Sequence, residues 1–148
     1  VNIFRRAVAV MAGAAVVMAG SVTVASPAVA AVDWINHDQV WSVSNPRTAL
    51  SVDTPRGTVQ VRYGTHQGKQ YGWARALNAP SDYVLAFEVD TNGDRRSDEG
   101  AREYLTGNNA AWTWGAAASS HSARAFRACI LSYSEMSCAE TSYRTGWW

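Results

Sequence analysis

The residues best suited to chemistry are the oxygen donors of one short run, Asp90-Thr91-Asn92-Gly93-Asp94-Arg95-Arg96-Ser97-Asp98-Glu99. Asp90, Asn92, Asp94 and Asp98 stand at relative positions 1, 3, 5 and 9, a spacing that lets a short loop wrap one hard cation such as Ca²⁺. The carboxylates of Asp90, Asp94, Asp98 and Glu99 repel one another without a counterion, and Arg95 and Arg96, expected to point outward, offset only part of that repulsion. Asn92-Gly93 is also a strong signal for a two-residue hairpin turn. A tight hairpin needs a core-facing strand on both sides, however, and Asp94 to Gly100 holds no apolar side chain. A wrapped loop is therefore expected.

Other catalytic constellations are sparse. His37, His66 and His121 are far apart, and neither an H-E-x-x-H pair nor a G-x-S-x-G elbow is present. Asp82, Glu88, Glu99 and Glu103 are acids of the kind a glycosidase uses, but that chemistry is defined by carboxylate separations in space. The aromatic residues offer binding instead. Trp112 and Trp114, two apart, are expected on one face, where they either close the core or, exposed, stack on the C–H face of a sugar ring. Trp147-Trp148 at the chain end is expected to pack over an open sheet edge.

The elements that must position these residues read as short strands. A hairpin is expected from Ala49-Leu50-Ser51-Val52-Asp53 and Thr58-Val59-Gln60-Val61-Arg62-Tyr63, turning at Thr54-Pro55-Arg56-Gly57. Gly64 to Gln70 reads as a polar loop. Tyr71 to Leu77 then alternates with Tyr71, Trp73 and Leu77 on one face, shared by Arg75, which an aromatic ring could accommodate by stacking. Tyr83 to Val89 is the clearest strand, with Tyr83, Leu85, Phe87 and Val89 facing one way, and it feeds directly into the acidic loop. Ala101 to Thr106 and Arg124 to Leu131 complete the clearer strands, the latter with Phe126, Ala128 and Ile130 on one face. Asp33 to Trp41 fits neither period and reads as a short helical turn or irregular cap, and Ala116 to Ser120 as loop or helix. The spacing of strands and turns predicts an all-β fold, a small antiparallel β-sandwich or open barrel.

Arg5 and Arg6, the apolar stretch Ala7 to Ala19 and the small-x-small pattern Ala28-Val29-Ala30 predict a cleaved secretory signal peptide over 1–30, leaving one exported domain over 31–148. The apolar stretch is short for a membrane span. Loss of two arginines takes the 13 basic residues to 11 against 12 acidic ones, a formal charge of −1, which argues against general polyanion binding and against a nucleic-acid partner. All seven Trp lie in the exported part, enough for one core. In an oxidising compartment Cys129 and Cys138 are expected to form a disulfide, with a second strand from about Ser137 to Tyr143 tied back to the Arg124–Leu131 strand.

On these residues two resemblances can be stated. Asp90 to Asp98 resembles the D-x-N-x-D-x-x-x-D calcium loops of extracellular modules of the dockerin, thrombospondin and integrin-propeller types. That resemblance implies ligation by Asp90, Asn92, Asp94 and Asp98 and by the backbone carbonyl of Arg96. Arg95 stands where those loops usually carry glycine, and Ala101 where a bidentate Glu is found, so weaker, solvent-completed coordination is implied. The wider chain is similar to small secreted actinobacterial proteins through its leader, Gly57 to Tyr63, Tyr71 to Arg75 and Arg127-Ala128-Cys129, which implies a location and no activity. The expected function is a non-enzymatic, calcium-stabilised exported module that binds a cell-wall glycan or a protein. The alternatives are a small secreted hydrolase using one acid and one His, or an enzyme inhibitor presenting the Gly64–Gln70 loop.

Overall fold

The computed structural model describes residues 31–118 and 124–148; the expected leader, His121 and the end of the Ala116–Ser120 run lie outside them. The protein is mostly β, with two antiparallel sheets and one disulfide. The first sheet contains β1 (Trp34–Ile35), β2 (Ser44–Thr54), β3 (Gly57–His66), β4 (Lys69–Leu77), β7 (Ala110–Trp112) and β8 (Gly115–Ala117). Its order is β1-β8-β4-β3-β2, with β7 also paired to β4. The second sheet orders β6 (Glu99–Tyr104), β5 (Val84–Asp90) and β9 (Ala125–Leu131), with β5 central. One short helix, α1 (His37–Trp41), follows β1.

The two faces of β4 explain the layering. Ala74 and Ala76 join the main core with Val59, Val61, Leu85, Phe87, Val89, Phe126 and Ile130, whereas Tyr71 and Trp73 turn the other way into a second cluster with Ile35, Val40 and Val43. The larger residues of the strand thus face away from the second sheet, and the small ones face towards it. Close approach requires this: a Cβ on Gly72 would lie 2.6 Å from the ring of Phe126. The outer cluster exists because α1 lies over the outer face of the first sheet. Asn36 starts this helix as a capping box, its side chain accepting from the Gln39 N–H at 3.0 Å while Gln39 accepts from the Asn36 N–H at 2.9 Å. Val40 carries the buried face of the helix and leaves Trp41 outside.

Several sequence expectations need correction. The polar loop Gly64–Gln70 is instead mostly strand: β3 and β4 pair out to His66 and Lys69, and only Gln67-Gly68 turns, with φ of 48° and 78°. Two positive φ values are those of a type I′ hairpin turn, whose right-handed twist continues that of the strands. Cys138 begins no strand but a 3₁₀ turn (Cys138–Glu140). Residues after it run along β9, with Ile130 N–H donating to Tyr143 O, Thr145 N–H to Ala128 O, and Phe126 and Trp148 exchanging both backbone bonds. Trp147 and Trp148 therefore do cover a sheet edge: Trp148 stacks on Tyr63 at 4.9 Å, and Trp147 lies under the Arg127 guanidinium at 4.4 Å. Gly115–Ala117 is strand rather than loop or helix.

One contact ties the two sheets together, and a second ties the disulfide loop to its own sheet. Arg56, in the tight turn between β2 and β3, reaches across to Ile130 O at 3.1 Å and Glu135 Oε2 at 2.6 Å, with its guanidinium over the rings of Tyr83 and Tyr143. Glu88, buried on β5, accepts from Arg127 Nε at 2.9 Å and from the Cys138 N–H at 2.7 Å, which anchors the disulfide loop to the second sheet.

Candidate functional site

The acidic loop is wrapped, as its composition demands, and its hydrogen bonds show how. Asp90, the last residue of β5, is fully buried. Its Oδ1 accepts the N–H groups of Asn92 at 3.0 Å and Gly93 at 2.6 Å, and its Oδ2 accepts from Arg95 N at 2.8 Å and an Arg95 guanidinium nitrogen at 2.9 Å. Burial raises the Asp90 carboxyl pKa, but those donors outweigh it and hold the group below its ordinary value. Asn92 Oδ1 and Asp94 Oδ1 repeat the pattern, accepting from Asp94 N and Arg96 N at 2.9 Å each. Asp98 Oδ2 closes the neck on the Thr91 N–H and hydroxyl, both at 2.7 Å. Arg95 thus folds back onto Asp90 rather than pointing outward.

This geometry divides the expected ligand set. The donors are hard oxygens, which suits Ca²⁺, but Asp90 has both oxygens engaged by N–H groups and acts on the loop backbone. Spare acceptor capacity remains on Asn92, Asp94, Asp98 and the Arg96 carbonyl. Among the described residues no three His, Cys, Asp or Glu side chains gather as a metal-holding group.

A different surface has the shape of a ligand site. On the outer face of the first sheet, beside α1, a groove of about 490 Å³ is lined by Trp41, Trp112, Trp73, Arg62, Arg75 and Pro46, among others. Strand register puts its residues together. Arg62 lies opposite Trp73, and Arg75 lies opposite both Gln60 and Trp112, so these side chains share the face away from the main core. Pro46 sits on the edge strand β2 at a register shift, where its missing N–H costs no ladder bond. Trp41, 76% exposed, stacks on Trp112 with centroids 5.3 Å apart and planes at 24°. Trp73 is buried beneath as part of the floor.

Trp112 is thus placed in a groove, and Trp114 is not. The β4 register opposes Arg75 to Trp112 but Gly72 to Ala116, so the segment between β7 and β8 carries one extra residue and the alternation slips. Thr113 fills this bulge, fully buried, its hydroxyl accepting the Ala74 N–H at 3.1 Å. Trp114 is left half-exposed with its ring edge-on to His37 at 6.5 Å. Sequence reasoning missed Trp41 and Arg62. The signal for Trp41 was the Asn36-x-x-Gln39 cap, which fixes a helix and with it the side on which Trp41 emerges; that for Arg62 was the strict alternation of β3.

One His–acid pair exists next to the groove. His37 Nε2 stands 3.0 Å from Glu103 Oε2, both partly exposed, in a smaller recess that shares Ala110 and Trp112 with the groove. His66 lies edge-on to Tyr71, at 6.0 Å. No protein-family model, curated protein or solved structure matches this chain.

Proposed function

We propose that the protein is an exported, non-enzymatic β module that binds an extracellular glycan in the groove of Trp41, Trp112 and Trp73. The observation that carries this reading is the Trp41–Trp112 stack. A large, highly exposed indole is held in one orientation by a second indole, at the rim of a recess whose volume is that of an ordinary small-ligand site. Rigid aromatic surfaces bind with little loss of side-chain freedom, and a pyranose offers them its apolar C–H face. Export rests on the leader pattern and on the disulfide, which belongs to oxidising compartments.

Calcium enters this reading as a stabiliser of the Asp90–Asp98 loop, remote from the groove in sequence. Asn92, Asp94, Asp98 and the Arg96 carbonyl would hold it, with water completing the shell and Asp90 fixing the loop backbone around them. Such a site belongs to the weak range of extracellular modules, with a dissociation constant on the order of 0.1 to 1 mM. The support is the residue spacing and the presence of the Asp94 and Asp98 carboxylates in one short loop.

The hydrolase alternative has one specific observation in its favour, the His37–Glu103 pair beside Trp112. The inhibitor alternative loses its presenting loop, since Gly64–Gln70 is a paired hairpin. Retention on insoluble peptidoglycan and on chitin, compared between the wild type and Trp41→Ala, tests the binding reading. Retention by the wild type that the variant loses supports it. Equal retention of both, or of neither, opposes it. Turnover of either polymer that Glu103→Gln abolishes would instead favour the hydrolase.

A further inference from the structure

The groove has a polar end as well as an aromatic one. Arg62 and Arg75 are diagonal neighbours on adjacent strands, where side chains on one face come within reach of each other. Neither takes part in an ion pair among the described residues, whose carboxylates in ion pairs are Asp33, Asp90, Glu88, Glu103 and Glu135. Arg62 spends one nitrogen on the Thr48 hydroxyl at 2.6 Å, while its Nε is buried with no hydrogen-bond partner. Two half-buried guanidinium groups close together on one face repel each other, and an anion between them relieves that repulsion. The groove therefore presents two positive charges on one face, beside an exposed aromatic surface.

We infer that the groove selects a sugar bearing an anionic group, a carboxylate or a phosphate, held by the Arg62 and Arg75 guanidinium groups while the ring stacks on Trp41. The inference rests on the glycan-binding reading above and adds charge selectivity to it. Burial of Arg62 and the neighbouring Arg75 charge both lower the Arg62 pKa, the direction expected where a counter-anion is lacking. A guanidinium pair suits the planar, two-oxygen edge of a carboxylate and also the oxygens of a phosphate. The local pair is compatible with the near-neutral net charge of the chain: one anionic sugar is recognised at one place, without the broad basic surface that a polyanion needs.

Calorimetric titration of the full domain with trigalacturonate, with glucose 6-phosphate and with neutral maltotriose tests this. Binding of either anionic sugar at least tenfold tighter than maltotriose, weakened by added salt and reduced tenfold or more in Arg75→Gln, is the expected result. The carboxylate and phosphate arms identify which group is preferred. Arg75 is half-buried and makes no ion pair or hydrogen bond among the described residues, so Arg75→Gln is chosen over Arg62→Gln, with the thermal midpoint as the check on folding. Equal binding of charged and neutral sugars, unchanged in Arg75→Gln but lost in Trp41→Ala, would overturn the charge selectivity and leave the glycan reading standing. No binding of any of the three, together with Trp41-independent retention on polymers, would overturn both.

Discussion

Trp41 and Trp112 come from segments 71 residues apart and meet as a stacked pair, 5.3 Å between centroids, over the outer face of a sheet whose inner face holds the main core. Because Trp41 is 76% exposed, its removal subtracts little buried area. Trp41→Ala should cost less than about 1 kcal/mol of stability, as surface substitutions do, while removing glycan retention. Urea midpoints of the two proteins check the first part; a loss of several kcal/mol would make Trp41 a structural residue.

Asp90 should matter to the fold whether or not calcium is present. Four N–H donors converge on its buried carboxylate, and Asp90→Asn replaces two acceptor sites by an NH₂ that faces donors. A loss of about 2 to 4 kcal/mol is expected. Denaturant unfolding in the presence of chelator measures it, and a change below about 0.5 kcal/mol would mean that the loop does not depend on this centre.

Calcium should act on the same loop weakly. For a dissociation constant near 1 mM, going from chelator to 10 mM CaCl₂ stabilises by about 1.4 kcal/mol, a rise of roughly 3 to 8 °C in Tm. Scanning calorimetry reads this directly. An unchanged midpoint would remove calcium from the account and leave a loop closed by its own hydrogen bonds.

Stability should fall in acid partly through Glu135. Burial raises its carboxyl pKa, but the Ser132 N–H, the Arg56 guanidinium and the Ser132 hydroxyl together bring it down to about 2 from an ordinary 4.5. The folded pKa lies below the unfolded one, so the stabilisation is complete above about pH 4.5 and is lost as pH falls towards 2. Glu135→Gln should be less stable than wild type at neutral pH and should show a shallower loss between pH 4.5 and 2. Parallel curves for the two proteins would contradict the role given to the Arg56–Glu135 contact.

The core makes one sharp steric demand. Gly72→Ala places a methyl 2.6 Å from the Phe126 ring, and overpacking of this kind costs about 1 to 3 kcal/mol. Gly72→Ala with Phe126→Leu should recover part of that loss, and urea unfolding of the single and double variants would show whether the two changes couple.

The fold was legible where the larger apolar residues of a strand point to the main core. β5 and β9 were read with their core faces correct, because Leu85, Phe87 and Val89, and Phe126, Ala128 and Ile130, include the larger apolar residues of each strand, although the other face, with Val84, Ala86, Cys129 and Leu131, is buried as well. β4 misleads in part, since its larger residues, Tyr71 and Trp73, go to the smaller cluster under α1 and only Ala74 and Ala76 face the main core. The end of β3 was missed because Gly64, Thr65 and His66 carry no hydrophobic signal. Their pairing is imposed by Gln67-Gly68, whose turn conformation fixes the register of both strands. At the site, sequence reasoning reached Trp112 and the acidic loop. It joined Trp114 to Trp112 because it assumed unbroken alternation, which the Thr113 bulge removes. The Trp41–Trp112 contact is tertiary, made by a helix cap and a sheet register acting together, and no local pattern in either segment encodes it.

The glycan reading is tested most directly by the seven indole N–H resonances of the ¹⁵N-labelled protein, titrated with soluble glycan fragments released from peptidoglycan. The account predicts that the Trp41 and Trp112 signals shift together and saturably, because the two rings are stacked and Trp41 is 76% exposed, while Trp34, whose Nε1 is bonded to Glu99 at 3.0 Å, and Trp147 stay in place. Saturable shifts confined to Trp147 and Trp148, or no shift at any indole, would contradict it.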